Sequence, residues 1–286
     1  MVLRKLLFIF LIISFSCKQK EIDNKNWVYL FDGNDLEQWD TYLGPYFGPG
    51  VTWDNIEKQS AIGHQNDTLG VFSIVDLDRE RVLRISGKAW GGIFTKQDFG
   101  NYHLRLQFKW GEKKWYPRGT ESDKRDSGLL YHGIGTHGED DLFWLKSQEF
   151  QIQEGDCGDF WGVAGTIVDI RAENDNERGF RYNPKSKLLT FREKSSIGRN
   201  CKKYPDAENP SGEWNTIDLY CFEGTSVHVV NDTVTMVLHN SRYELNGREI
   251  PLIKGKIELQ SESAEVFYKN IKIRPIDSIP KKFKEG

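Results

Sequence analysis

Tyr102, Leu104, Leu106, Phe108 and Trp110 alternate one for one with His103, Arg105, Gln107 and Lys109. A period of two lets a strand bury one face and wet the other, and it conflicts with the 3.6-residue repeat of an amphipathic helix. Shorter runs of strand character recur at 28–31, 72–75, 82–85, 92–95, 128–132, 188–192, 214–222 and 226–230. A run at 233–238 follows across Asn231-Asp232, a two-residue step favoured in tight hairpins, and 256–260 and 266–274 close the series. Long segments with helical spacing are missing. The fold class expected is all-β, an antiparallel β-sandwich or jelly roll. No Pro/Gly/Ser-rich linker, fixed-period repeat or low-complexity tract interrupts the chain, so residues 27–276 are expected to form one domain, with 277–286 as a tail.

The first residues have a different purpose. Arg4 and Lys5 precede an apolar run at 6–13, and Ser14-Phe15-Ser16 leads into Cys17. The run is too short to span a membrane and reads as a secretory signal. Ser16 directly before Cys17 has the form of a bacterial lipoprotein cleavage site, with residues 1–16 removed and Cys17 lipidated. Polar residues 17–26 then read as a tether. The expected location is the bacterial cell envelope, with the membrane engaged only through the lipid. Removing residues 1–16 takes the formal charge from −3 to −5, so no basic excess remains and nucleic acid is not an expected partner. In that oxidising compartment Cys157 and Cys201, both in loop-like sequence, are the pair expected to form a disulfide. Cys221 lies in a strand-like run and is expected to be a buried thiol.

Residues 147–161, SQEFQIQEGDCGDFW, are where chemistry concentrates. Glu149, Gln151 and Gln153 alternate with Phe150 and Ile152, so one strand face carries a carboxylate and two amides. Glu154-Gly155-Asp156 adds two carboxylates at a turn, and the aromatics Phe160 and Trp161 follow. Carboxylates and amides pair with hydroxyls, and aromatic faces stack on the C–H surface of a sugar ring. An ordinary edge strand with a polar outer face is the plainer alternative. Residues 125–132 read as a neighbouring strand, with Tyr131 a candidate sugar contact and His132 open to three roles: base, metal ligand or structural histidine. His137 follows across a glycine-containing loop. Trp90, before Gly91-Gly92, is either a sugar-stacking ring or core. Glu258 and Gln260 read as another polar strand face, and Ser261-Glu262-Ser263 as a turn that could rim the site.

Several blocks resemble the 3-keto-disaccharide hydrolase domain family of secreted bacterial proteins. They are residues 27–39 (WVYLFDGNDLEQW), 87–110 (GKAWGGIFTKQDFGNYHLRLQFKW), 126–133 (DSGLLYHG), 148–161, 211–222 (SGEWNTIDLYCF) and 255–275 (GKIELQSESAEVFYKNIKIRP). The resemblance implies a concanavalin A-like jelly roll and cleavage of glycosides already oxidised to a ketone at C3. Such a ketone acidifies the hydrogen on C2, so a base, an acid for the leaving oxygen and an enolate stabiliser are required. On this reading Glu149 is the base and Glu154 the acid, while Gln151 and His132 hold or polarise keto and hydroxyl oxygens. Gln153, Asp156, Trp161, Tyr131 and Trp90 would contact the oligosaccharide or glycoside. Asp156 is alternatively a metal ligand, because a divalent ion would serve as a Lewis acid, although no motif specifies one.

Two alternatives stay open. Glu149-Phe150-Gln151-Ile152-Gln153-Glu154 also resembles the Glu-x-Asp-x-x-Glu strand of laminarinase-type retaining glucanases, with Gln151 replacing the central aspartate. A non-catalytic glycan-binding lipoprotein would use the same polar face.

Overall fold

A computed structural model of the chain describes residues 26–175 and 179–283. The leader, Cys17 and the tether up to residue 25 lie outside the described residues. The strands form two antiparallel sheets, one of twelve strands and one of eight. Helical structure among the described residues is confined to two three-residue 3-10 turns, Ile56–Lys58 and Lys281–Phe283. The all-β sandwich expected from the alternation is the fold observed.

The strand Tyr102–Lys114 runs through the larger sheet between Asn215–Phe222 and Ala264–Pro275. Its apolar row, Tyr102 to Trp110, enters the main core. Leu129, Tyr131, Phe150, Ile152, Ile257 and Leu259 fill that core from the smaller sheet. Each fully buried side chain of this size contributes about 1.5–3 kcal/mol relative to exposure, so alternation fixes which face of each strand turns outward. Asn231 and Asp232 have φ of 46° and 63°, the backbone that a two-residue hairpin requires and that these residue types tolerate.

Four further strands show no clear period in the sequence: Trp39–Pro45, Ala61–His64, Gly179–Tyr182 and Arg248–Pro251. The last three are short strands with one sheet neighbour each, where burial does not enforce alternation.

Two expectations are corrected. Cys157 and Cys201 form no disulfide. Cys157 packs in the main core and Cys201 in a second cluster with Phe160 and Phe191. Burial raises both thiols well above their ordinary pKa, as it does Cys221, so all three are apolar fillers. The segment expected as a tail is also packed. Ile279 and Phe283 are buried in the second cluster, and the Phe283 ring lies 4.9 Å from that of Tyr220.

Candidate active site

The outward face of the smaller sheet builds the site. Phe150 and Ile152 point into the core, which turns Glu149, Gln151 and Gln153 of the strand Lys146–Gln153 to the opposite side. Register then sets their neighbours: Asp126 faces Gln153, Gly128 faces Gln151, and Trp161 faces Glu149. Gln260, from the strand Lys256–Ser261, and Glu262, just past its end, close the other flank of a cleft of about 190 Å³. Arg118, Asp141, Trp144 and Arg199 reach the cleft from loops. Gly128 has a steric reason to be glycine. A Cβ there would sit 2.5 Å from Glu149 Oε1 and would also clash with Gln260 Oε1. Without it the two flanking side chains converge over the central strand.

The charges in this cleft are incompletely matched. Arg118 is shared by two carboxyls, pairing with Asp126 and lying 2.8 Å from Glu262 Oε1. Gln153 Nε2 donates to Asp126 Oδ2 at 2.5 Å. Burial nevertheless raises Asp126 to about 6. Glu262 is pushed well above the carboxylate range by burial and by the Asp126 charge, because one guanidinium serves both. Glu149 is only 6% exposed, and among the described residues it forms no ion pair. Burial first, then the charges of Glu262 and Asp126, raise its pKa well above the ordinary value. Three acceptor oxygens, Asp126 Oδ1, Gln151 Oε1 and Gln260 Oε1, are buried without a hydrogen-bond partner. An unsatisfied buried polar atom costs about 1–3 kcal/mol, so the cleft is built to receive donors. Hydroxyl groups are donors of that kind.

Of the residues expected from sequence, Glu149, Gln151, Gln153 and Trp161 meet in the cleft, and Glu262 rims it as the turn reading allowed. Glu154, His132, Asp156, Tyr131 and Trp90 do not line it. The strand ends at Gln153, so Glu154 begins a turn, and its carboxylate pairs with Arg125 at 3.0 Å. Burial acts upward on Glu154, but the hydrogen bonds and charge of Arg125 outweigh it and leave the pKa lowered, the wrong direction for an acid. Asp156 is held by Lys124 at 2.5 Å. Tyr131 is buried in the core and hydrogen-bonds Ser226 Oγ at 2.8 Å.

His132 illustrates how a bulge defeats counting. Simple alternation places it on the cleft face with Asp126 and Leu130. An extra residue between Tyr131 and Ile134 breaks the ladder, and His132 adopts φ of 55°. Its ring nitrogens then lie 3.2 Å and 3.3 Å from the carbonyl oxygens of Leu252 and Gly100. Burial lowers its pKa to about 4, which makes it a neutral structural histidine. Trp90 is 4% exposed and donates from Nε1 to Ser263 Oγ at 2.7 Å. It backs the cleft wall, with the Arg118 guanidinium 5.1 Å above its ring.

Asp126, Gln260 and Glu262 carried a usable signal, since each shares strand parity with a cleft residue. Arg118, Asp141, Trp144 and Arg199 come from loops without a period and gave none. The fit for a metal is poor: Asp126 and Glu262 already flank a guanidinium. Among the described residues no group of three or more His, Cys, Asp or Glu is arranged to hold an ion.

Similar folds occur in two candidate glycosyl hydrolases of Parabacteroides distasonis. The first is 16% identical, covers 88% of this chain and 94% of its own, and has a TM-score of 0.48. The second is 19% identical, covers 87% and 99%, and has a TM-score of 0.47. A carbohydrate-binding module from Bacillus subtilis is 9% identical over 71% of this chain and 91% of its own, with a TM-score of 0.41. None of the curated proteins matches the chain. Residues 26–274 match the 3-keto-alpha-glucoside-1,2-lyase-like domain, and with nearly the whole described chain covered, the protein belongs to that family.

Proposed function

We propose that the protein cleaves 3-keto-glycosides by elimination across C1–C2 followed by hydration. One observation carries this reading: Glu149, buried and short of a cation, stands beside three acceptor oxygens with no donor. Gln151, Gln260 and Asp126 Oδ1 accept hydrogen bonds from the sugar hydroxyls, and Trp161 covers a C–H face. Ionised Glu149 takes the C2 hydrogen as a proton, and the electron pair delocalises onto the C3 oxygen as an enolate. Its raised pKa makes it a stronger base than an ordinary carboxylate. Arg118 and Arg199, the cations of the cleft, offset the developing charge. The enolate collapses to a C1=C2 double bond, the C1–O bond breaks, and the leaving oxygen takes a proton from Glu262. Water then adds at C1, a proton returns to C2, and the net result is hydrolysis. Glu262 replaces Glu154 as the acid because it lines the cleft, whereas Glu154 sits in the turn beyond the strand, paired with Arg125.

The test is aglycone release from a 3-keto-glucoside and from its unoxidised parent in deuterated water. Release from the keto compound alone, with deuterium at C2, is expected. Equal release from both would make the enzyme an ordinary glycosidase, and binding without release would make it a glycan-binding module. Anchoring belongs to the same reading: Cys17→Ala should move the protein from the membrane to the soluble fraction, and unchanged membrane partitioning would refute lipidation.

A further inference from the structure

Beside the cleft, across Trp90, lies a second hollow of about 310 Å³ walled by Tyr46, Phe47, Pro49, Val51, Thr52 and Tyr116. Its rings form a continuous surface. Phe47 meets Trp53 at 4.7 Å, Trp90 at 5.5 Å and Tyr116 at 6.1 Å between ring centroids. Trp53 and Tyr116 are nevertheless 51% and 52% exposed. Large rings left in water this close together mark a binding surface more than a folding requirement.

The hollow is joined to the catalytic groups through specific contacts. The Arg118 guanidinium covers Trp90 at 5.1 Å and reaches Glu262 at 2.8 Å. On the other side Trp90 stacks on Trp144 at 6.1 Å, and Trp144 lines the cleft. A group leaving a sugar held between Glu149 and Glu262 therefore has this aromatic surface next to it. The chemistry of the two hollows differs. The cleft offers carboxyls and amides, the partners a sugar ring needs. The second hollow is lined by no acid, amide or base, and its polar side-chain atoms are the hydroxyls of Thr52, Tyr46 and Tyr116. A second sugar ring would leave most of its hydroxyls without partners there. A flat apolar ring loses nothing and gains edge and face contacts with Phe47 and Tyr116.

We infer that this hollow is the leaving-group subsite and that it takes an aromatic aglycone in preference to a second sugar, an inference that rests on the proposed glycoside cleavage. The experiment compares KM for phenyl, methyl and glucosyl 3-keto-glucosides in the parent protein and in Tyr116→Ala and Tyr116→Phe. The ratio of the phenyl KM to the methyl KM should rise about three- to tenfold in Tyr116→Ala, the size of one aromatic contact. Tyr116→Phe, which keeps a ring, should hold that ratio near the parent value, and the glucosyl-to-methyl ratio should not move. A larger rise for the glucosyl substrate, or an equal rise for all three, overturns the assignment. If the parent turns over no keto substrate, the proposed function fails, and calorimetry with unoxidised phenyl and methyl glucosides decides the subsite separately. Tighter phenyl binding that Tyr116→Ala abolishes supports it; equal affinities refute it.

Discussion

Two buried carboxyl groups on opposite outer faces of the sandwich have contrary surroundings. On the larger sheet Asp218 lies 2.5 Å from His103 Nε2 and accepts two bonds from Arg105, at 2.7 Å and 2.8 Å. Burial acts upward on Asp218, but these partners outweigh it and leave the pKa lowered. On the smaller sheet Glu149 is equally sheltered yet lacks an ion pair among the described residues, and its pKa is raised. A carboxylate that the fold has already neutralised has little basicity to give, whereas one left short of partners is ready to exchange a proton. The first is architecture, and the second is the base of the proposed reaction.

The largest expected effect follows directly. Glu149→Gln keeps shape and hydrogen bonding but removes the base, so turnover of a 3-keto-glucoside should fall by about 10²–10⁴-fold while binding of the sugar changes little. Near-full turnover in this variant would remove Glu149 from the mechanism. The reciprocal change on the other face should do the opposite. Asp218→Asn leaves Arg105 and His103 without their carboxylate and should destabilise the fold by about 3 kcal/mol in urea unfolding, with kcat unaltered. Loss of activity at unchanged stability would erase the distinction between the two faces.

The pH dependence of stability separates the faces by sign. Glu149, and Asp126 at about 6, bind protons more tightly folded than unfolded. Their contribution therefore falls as pH rises from the ordinary carboxylate range through the folded pKa. Asp218, with a lowered pKa, contributes stability that is present above the ordinary range and is lost as pH falls through its folded value. Glu149→Gln should accordingly raise Tm, by about 2–4 °C for each kcal/mol of relieved penalty, with the gain growing from acid toward neutral pH. A gain independent of pH would mean that ionisation of Glu149 is not the source.

How far the sequence carried this contrast depends on periodicity. Alternation turned Glu149, Gln151 and Gln153 to the cleft face, because burial of Phe150 and Ile152 leaves the strand no choice of face, whereas Trp161 was read only as an aromatic following the turn. It failed at Glu154, one residue beyond the strand, and at His132, where one extra residue in the ladder reverses the count. Arg118 and Arg199, which supply the positive charge of the cleft, arrive on loops whose paths no local pattern encodes. The family resemblance suggested the chemistry proposed for the cleft, while the choice between Glu154 and Glu262 as its acid required the third dimension.

The smallest effect concerns a neutral residue. Gln151→Leu removes a buried acceptor that has no partner, so stability should hold or rise slightly, while KM for the keto substrate should increase about two- to tenfold. A fall in stability comparable to that of Asp218→Asn would show that the amide already has a partner within the fold.

The contrast is tested most directly by titrating the side-chain carboxyl carbons of the folded protein by NMR, with Glu149→Gln and Asp218→Asn assigning the two resonances. The resonance lost in Glu149→Gln should titrate well above the ordinary carboxylate range, and the resonance lost in Asp218→Asn should titrate below it. Two resonances titrating together within the ordinary range would contradict the account.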